Sequence, residues 1–295
     1  MSGARLPVWR SLLFCPAHAE RFVAKAHTRG ADAIILDLED AVGPADKPAA
    51  RQGLAAAARA VGREGADVLV RINRELDLAV QDIAAAVDPA VAALVLPKVM
   101  GPEHVRLLAE LVTAREIEVG LPAGHTRFLA LVESAAALEH VNAIARADAR
   151  MVGLAVGGED LATDLDAQPS ADALYVAKML GLHAARAAGI LPLGVLASVA
   201  GVADGEAYRA MVARSRALGF AGATCVHPAQ VPVLNAAFGA SERELAHARS
   251  LVAVYEEGLA RGEGAVLFEG RMVDKPVADR AYRVLAQAAS REPGV

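Results

Sequence analysis

Charged residues stand directly after short apolar runs at several points in this chain, and that is where chemistry is sought first. Asp37, Glu39 and Asp40 close the run in ILDLED, Arg71 and Asn73 close VLVRIN, and Lys98 follows LVLP. Glu133 follows FLALV, Glu159 and Asp160 follow LAVGG, and His227 follows ATCV. Two neighbouring carboxylates such as Glu133 and Asp160 suit a hard divalent cation. Mg²⁺ is commonly held by one or two protein carboxylates and keeps its other positions for water and substrate oxygens. The competing reading makes each a helix N-terminal carboxylate that favours the dipole. Arg71 carries a planar, permanently charged fork that could bind a carboxylate and face an enolate oxygen, or could form an ion pair with Asp37 or Glu39. Gly157 and Gly158 fit a tight turn or a close backbone approach to a ligand before Asp160. His227 precedes Pro228, a good helix opener, and is read as satisfying nearby backbone groups. There is no GxSxG elbow, no Walker glycine loop and no Cys/His cluster for zinc, so acyl-serine hydrolysis and phosphoryl transfer have no motif behind them.

The elements that must position these residues alternate in a regular way. Short apolar runs at Ser11–Cys15, Ala33–Asp37, Asp67–Ile72, Ala92–Leu96, Arg127–Val132, Met151–Val156, Pro192–Leu196 and Gly222–Val226 read as buried parallel strands. Between them, Pro48–Val61, Pro102–Ala114, Ala135–Arg146, Ala171–Ala188 and Glu206–Leu218 carry apolar residues every three or four positions and read as helices. Eight such units predict an α/β fold, a closed (β/α)₈ TIM barrel, over 1–261. In that fold the residues after each strand share one end, so the charged set converges on one opening. From 262 to 295 the rhythm breaks into a hairpin around Glu269-Gly270 and a helix from Lys275 toward Ala289, an extension to the barrel.

Bulk properties agree. The chain has 295 residues, 55% hydrophobic and only 4% aromatic, which fits a core of small aliphatic layers. A net charge of −5 with interspersed signs gives no basic field for nucleic acid. Cys15 and Cys225 lie in apolar runs and read as buried thiols in a reducing, cytoplasmic setting. The first residues hold no apolar stretch long enough for a signal or membrane span.

Taken in order, RSLLFCP, ILDLEDAV, KPAAR, VRIN, LPKV, LVESA, GGEDLATDL and CVHPAQ make the chain resemble the citrate lyase β-subunit-like branch of the HpcH/HpaI aldolase superfamily over nearly its whole length. The resemblance implies that Glu133 and Asp160 hold Mg²⁺, and that Arg71 contacts the keto or hydroxy acid and the thioester enolate. Gly158 and Glu159, beside that pair, join the expected substrate-binding set. It implies that Asp37, Glu39 and Asp40 order metal-bound water and nearby cations, and that Arg10, Arg21 and Lys25 border a CoA nucleotide. The phrase GRMVDKP is similar to the C-terminal segment of malyl-CoA and citramalyl-CoA lyases, where an aspartate at the position of Asp274 reaches into a neighbouring subunit's site as acid/base. As bare sequence Asp274 is equally a helix N-cap. Where the family commonly has glycine after the proline of RSLLFCP, this chain has Ala17 and then His18.

The expected activity is Mg²⁺-dependent carbon–carbon cleavage, or formation, of a 3-hydroxy-dicarboxyl-type CoA thioester such as malyl-CoA, citramalyl-CoA or citryl-CoA. The products are acetyl-CoA, or a homologue, and a 2-oxo acid. The alternatives are a hydroxyacyl-CoA thioesterase, an aldolase on free 2-oxo acids, and a non-catalytic subunit of a lyase complex. Partners are expected to be the CoA thioester, the 2-oxo acid and further copies of the chain, as a trimer or a multiple, with no nucleic acid and no membrane.

Overall fold

The computed structural model describes residues 6–198 and 205–289. Eight parallel strands follow one another around a ring: β1 (Ser11–Pro16), β2 (Ala33–Asp37), β3 (Asp67–Arg71), β4 (Ala93–Leu96), β5 (Arg127–Val132), β6 (Met151–Val156), β7 (Leu191–Leu193) and β8 (Ala223–Cys225). Their order is β7-β6-β5-β4-β3-β2-β1-β8, and a parallel bridge between Leu193 and Gly222 joins the ends. Hydrogen bonds from Gly194 N to Gly222 O (2.8 Å) and from Ala221 N to Pro192 O (2.9 Å) complete that seam, so the expected (β/α)₈ barrel is observed.

The strands are continuous apolar runs because both of their faces are covered, one by the barrel interior and one by helices. Inside, Leu12, Ile35, Leu69, Val95, Leu129 and Val152 belong to one buried cluster of small aliphatics. Around it run α1 (Glu20–Ala26), α2 (Lys47–Gly62), α3 (Leu76–Ala86), α4 (Pro102–Glu118), α5 (Ala135–Glu139), α6 (Val141–Ile144), α7 (Glu159–Asp164), α8 (Ala171–Ala188), α9 (Gly205–Leu218) and α10 (Gln230–Phe238). The helix expected over Ala135–Arg146 is two pieces, because His140 leaves the helical conformation (φ −102°, ψ 7°) between α5 and α6. Helix α8 has the expected bounds: the Ser170 hydroxyl accepts from Ala173 N at 3.2 Å at its start, and Gly189 (φ 73°) stops it.

The chain divides into two compact units, Met1–Asn235 and Ala236–Val295. The division expected at 261/262 therefore gives way to one at 235/236. The second unit holds α11 (Glu242–Ala260), opened by a capping box of Ser241 and Glu244, then the expected antiparallel hairpin of β9 (Val266–Phe268) and β10 (Arg271–Val273), then α12 (Lys275–Ala289). Helix α11 belongs there because Leu251, Val252 and Tyr255 bury against Val266, Val273 and Ala278. Among the described residues no helix is long and apolar enough to cross a membrane.

Candidate active site

The C-terminal ends of β2 and β3 carry a closed polar network. Strand register sets Asp37 beside Arg71, whose Nε and Nη2 donate to Asp37 Oδ1 and Oδ2, both at 2.7 Å. Asp37 accepts two further bonds, from the backbone N–H groups of Glu39 (3.0 Å) and Ala41 (3.2 Å). Burial works against the Arg71 charge, but the hydrogen bonds and charge of Asp37, with Glu39 and Asp40, outweigh it and raise the guanidinium's pKa. The ion pair foreseen for Arg71 is thus formed, and the guanidinium also lies 4.7 Å above the Phe14 ring. Arg71 Nη1 stands 2.9 Å from Glu39 Oε2, yet that oxygen accepts no hydrogen bond, so the contact is Coulombic without donor geometry. Beneath them Lys47 Nζ donates to Leu38 O (2.8 Å), Glu39 O (2.9 Å) and Asn73 Oδ1 (2.6 Å), using all three of its donors.

The ends of β5 and β6 are built differently. Glu133 is buried, and its Oε2 accepts from the backbone N–H of Lys98 at 2.7 Å. Burial, followed by the charges of Asp160 and Glu39, pushes the Glu133 carboxyl up to about 7 against the opposing Lys98 N–H and Arg71. Lys98 makes that bond from a left-handed conformation (φ 46°), a strain of about 1–3 kcal/mol for a residue with a side chain. Its ammonium meets Glu39 Oε1 at 2.8 Å, Asp40 at 3.4 Å and Asp160 Oδ1 at 3.9 Å. A Cβ on Gly157 would lie 2.6 Å from Glu133 Cγ, so only glycine admits the Glu133 side chain there. Ser134, not Glu133, caps α5, while Asp160 does sit in the first turn of α7.

One cavity of about 190 Å³ brings Arg71, Glu133, Gly158, Glu159, Asp160 and Lys178 together. Lys178 was missed from the sequence. It belongs to α8, is 4% exposed, and donates to Val156 O at the end of β6. Burial pushes its ammonium down to about 8, with Glu133 opposing. Its signal was legible in principle, because Lys178 falls on the buried stripe of Leu174, Ala177, Gly181 and Leu182, where a lysine is out of place.

A second cleft of about 400 Å³ shares Phe14 and Val226 with the first and is lined also by Phe22, Lys25, Arg29 and His227. Lys25 lines this cleft, and Arg21 is close by, 4.6 Å over the Phe22 ring. Arg10 is not. It precedes β1 at the N-terminal end of the barrel, with Nε and Nη2 on Asp32 at 2.7 and 2.6 Å and Nη1 on Asn235 O at 3.2 Å. That fork is spent on holding barrel strands together, and the nucleotide role expected for Arg10 is withdrawn. His227 accepts from Ala229 N on its Nδ1 (3.2 Å), the local satisfaction expected of it. Asp274 lies in the second unit at the start of α12, where its carboxylate accepts from Val277 N at 3.4 Å. Cys15 and Cys225 are buried free thiols, pushed by burial to about 11 and about 12.

Residues 10–228 match the model of the HpcH/HpaI aldolase/citrate lyase family. The chain belongs to that family. By that membership it is an enzyme of the lyase class. It is 34% identical to the citrate lyase subunit beta of Leuconostoc mesenteroides subsp. cremoris over 95% of this chain and 93% of that one. It is 31% identical to the L-malyl-CoA/beta-methylmalyl-CoA lyase of Cereibacter sphaeroides over 95% and 94% of the two chains. Its fold matches the CitE protein of Mycobacterium tuberculosis, solved in complex with magnesium, acetoacetate and coenzyme A, with a TM-score of 0.73 and 34% identity over 95% of this chain and 97% of that one. For this family member, the cavity at the ends of β3, β5 and β6 is the candidate active site.

Proposed function

We propose that this chain is a Mg²⁺-dependent lyase that cleaves, or forms, the carbon–carbon bond of a 3-hydroxy-dicarboxyl-type CoA thioester such as malyl-CoA, citramalyl-CoA or citryl-CoA. The observation that carries the reading is the meeting of Glu133, Asp160 and Arg71 in one cavity beside a larger cleft that holds Lys25. The residues fit the ion. A buried carboxyl pushed up to about 7 beside a second carboxylate is relieved by a cation, and all donors are hard oxygens. Related CitE structures contain magnesium, which supports the same choice.

Glu133 and Asp160 would hold Mg²⁺, which when bound supplies Lewis-acid polarisation of the oxygens of a 2-oxo or 2-hydroxy acid. Arg71, locked by Asp37 and Glu39, faces the thioester oxygen and stabilises the charge that reaches it as the carbon–carbon bond breaks. The 3-hydroxyl gives up its proton to water and becomes the carbonyl of the departing 2-oxo acid. The electron pair of the breaking bond passes to the carbon next to the thioester, with its charge on the thioester oxygen, and that carbon then takes a proton to give acetyl-CoA or a homologue. Asp274 of a second copy supplies that proton, as the similarity to malyl-CoA lyases implies. The CoA nucleotide takes the 400 Å³ cleft beside Lys25, with Arg21 at its edge. The working form is a homo-oligomer, a trimer or a multiple, in the reducing cytoplasm that two buried free thiols suit.

The test is a Mg²⁺-dependent screen of malyl-, citramalyl- and citryl-CoA with products identified by mass. A shorter acyl-CoA plus a 2-oxo acid is expected. Free CoA without carbon–carbon cleavage would make the chain a thioesterase. Turnover of free 2-oxo acids indifferent to CoA would make it an aldolase, and no turnover of any of these would leave it a non-catalytic subunit.

A further inference from the structure

Two lysines are buried beneath the barrel mouth, and they are treated very differently. Lys47 spends its three donors on Leu38 O, Glu39 O and Asn73 Oδ1. Lys178, 4% exposed, makes a single hydrogen bond, to Val156 O, and no ion pair at contact distance among the described residues. An ammonium has three donors, and taking it out of water without partners is costly. A buried lysine kept in that condition inside a functional cavity is the mark of a group whose partner arrives with the ligand.

The surroundings put Lys178 at the wall of the site. Lys178 and Gly194 both line the 190 Å³ cavity that holds Glu133 and Asp160. A Cβ on Gly194 would stand 4.0 Å from Lys178 Nζ, so the missing side chain there leaves the ammonium uncovered on that side. Val156, which Lys178 touches, ends β6, and Glu133 follows β5, so the ammonium stands at the same end of the barrel as the carboxylate pair. Arg71 spends one edge of its guanidinium, Nε and Nη2, on Asp37 and has the Glu39 carboxylate 2.9 Å from Nη1. The uncommitted buried cation in the cavity is Lys178, and an anion is what it recognises.

We propose that Lys178 is a specificity-determining residue, whose ammonium binds the distal carboxylate of a dicarboxylic 2-oxo acid lying on the Glu133–Asp160 pair. The proposal rests on the reading of that pair as the Mg²⁺ site, and it deepens it: a thioester whose cleavage releases a four-carbon dicarboxylic oxo acid is favoured over one that releases a monocarboxylic acid. The cavity has room for an acid of a few carbons. The rival role is a cap on the Val156 carbonyl, which would serve every ligand alike.

Calorimetric titration at saturating Mg²⁺ separates the two, using oxaloacetate as the dicarboxylate and pyruvate as the monocarboxylate on wild type, Lys178→Met and Lys178→Arg. A charge-assisted hydrogen bond predicts that wild type binds oxaloacetate about 30-fold more tightly than pyruvate. Lys178→Met should lose that preference while its pyruvate affinity stays within about threefold, and Lys178→Arg should restore most of it. Equal weakening of both acids in Lys178→Met, or a wild type with no preference for oxaloacetate, overturns the proposal and leaves the Mg²⁺ reading standing. The wild-type comparison decides even where Lys178→Met does not fold. No Mg²⁺-dependent binding of either acid to wild type overturns the metal reading and this proposal with it.

Discussion

The two arcs of the barrel mouth obey different rules. At the ends of β2 and β3, Asp37 carries four hydrogen bonds, Arg71 grips it with two nitrogens, and Lys47 has every donor filled. At the ends of β5 and β6, Glu133 is held by one backbone N–H, Lys178 by one carbonyl, and Asp160 by an ammonium 3.9 Å away. Apart from Glu39 Oε2, which accepts no hydrogen bond, the first arc is satisfied within the protein and is a scaffold that fixes the direction of Arg71. The second leaves the buried Glu133 and Lys178 short of partners, and that difference supports the proposed placement of a cation and an oxygen-rich acid there.

The contrast breaks most visibly by deleting one carboxylate from each arc. Asp37→Ala leaves the Arg71 charge buried without its main partner and should lower unfolding free energy by about 3–5 kcal/mol, read from denaturant melts. Glu133→Ala should keep the fold and lose roughly 10³-fold of Mg²⁺-dependent turnover, measured as kcat/KM. The reverse pattern would dissolve the distinction.

A gentler pair of changes sharpens it. The Glu133 carboxyl is raised from its ordinary 4.5 to about 7, so the folded protein holds that proton where the unfolded chain has lost it. Stability from this group is full below 4.5, falls as pH rises toward 7, and is absent above. Glu133→Gln should therefore be more stable than wild type at pH 8, by up to about 3 kcal/mol without Mg²⁺, and the gap should close below pH 4.5. Equal melting curves at pH 8 would count against it. Next in size, Gly157→Ala pushes a methyl group into Glu133 Cγ and should weaken Mg²⁺ binding about 30-fold in calorimetry, with little change in melting temperature. Smallest is the proton competition itself: Mg²⁺ affinity should fall about fivefold between pH 7 and pH 6 as Glu133 takes up its proton.

The strands were legible because a fully buried parallel strand is an unbroken apolar run. Where the reading overshot, backbone freedom explains it: the run Pro192–Leu196 forms strand only over Leu191–Leu193, because Gly194 turns to φ 134° and ends the ladder. The charged ring was legible from its position after the strands, and Glu133, Asp160 and Arg71 were read from it directly. Lys178 was not, because it reaches the cavity from the middle of a helix, where the rule of looking after strands does not apply. The Arg10 expectation failed for the opposite reason. A cation beside a family motif says nothing of which end of a strand it occupies, and Arg10 stands before β1. The unit boundary was hidden because the apolar face of α11 looks the same whether it meets a barrel strand or a hairpin.

The most direct test is a titration with Mn²⁺, a paramagnetic substitute for Mg²⁺, followed through the loss of its free-ion resonance in wild type, Glu133→Gln and Asp160→Asn. One site per chain, displaced by Mg²⁺ and weakened about 100-fold or more in both variants, is the predicted result. A site of wild-type strength in both variants, or none in wild type, would contradict the assignment of this cavity.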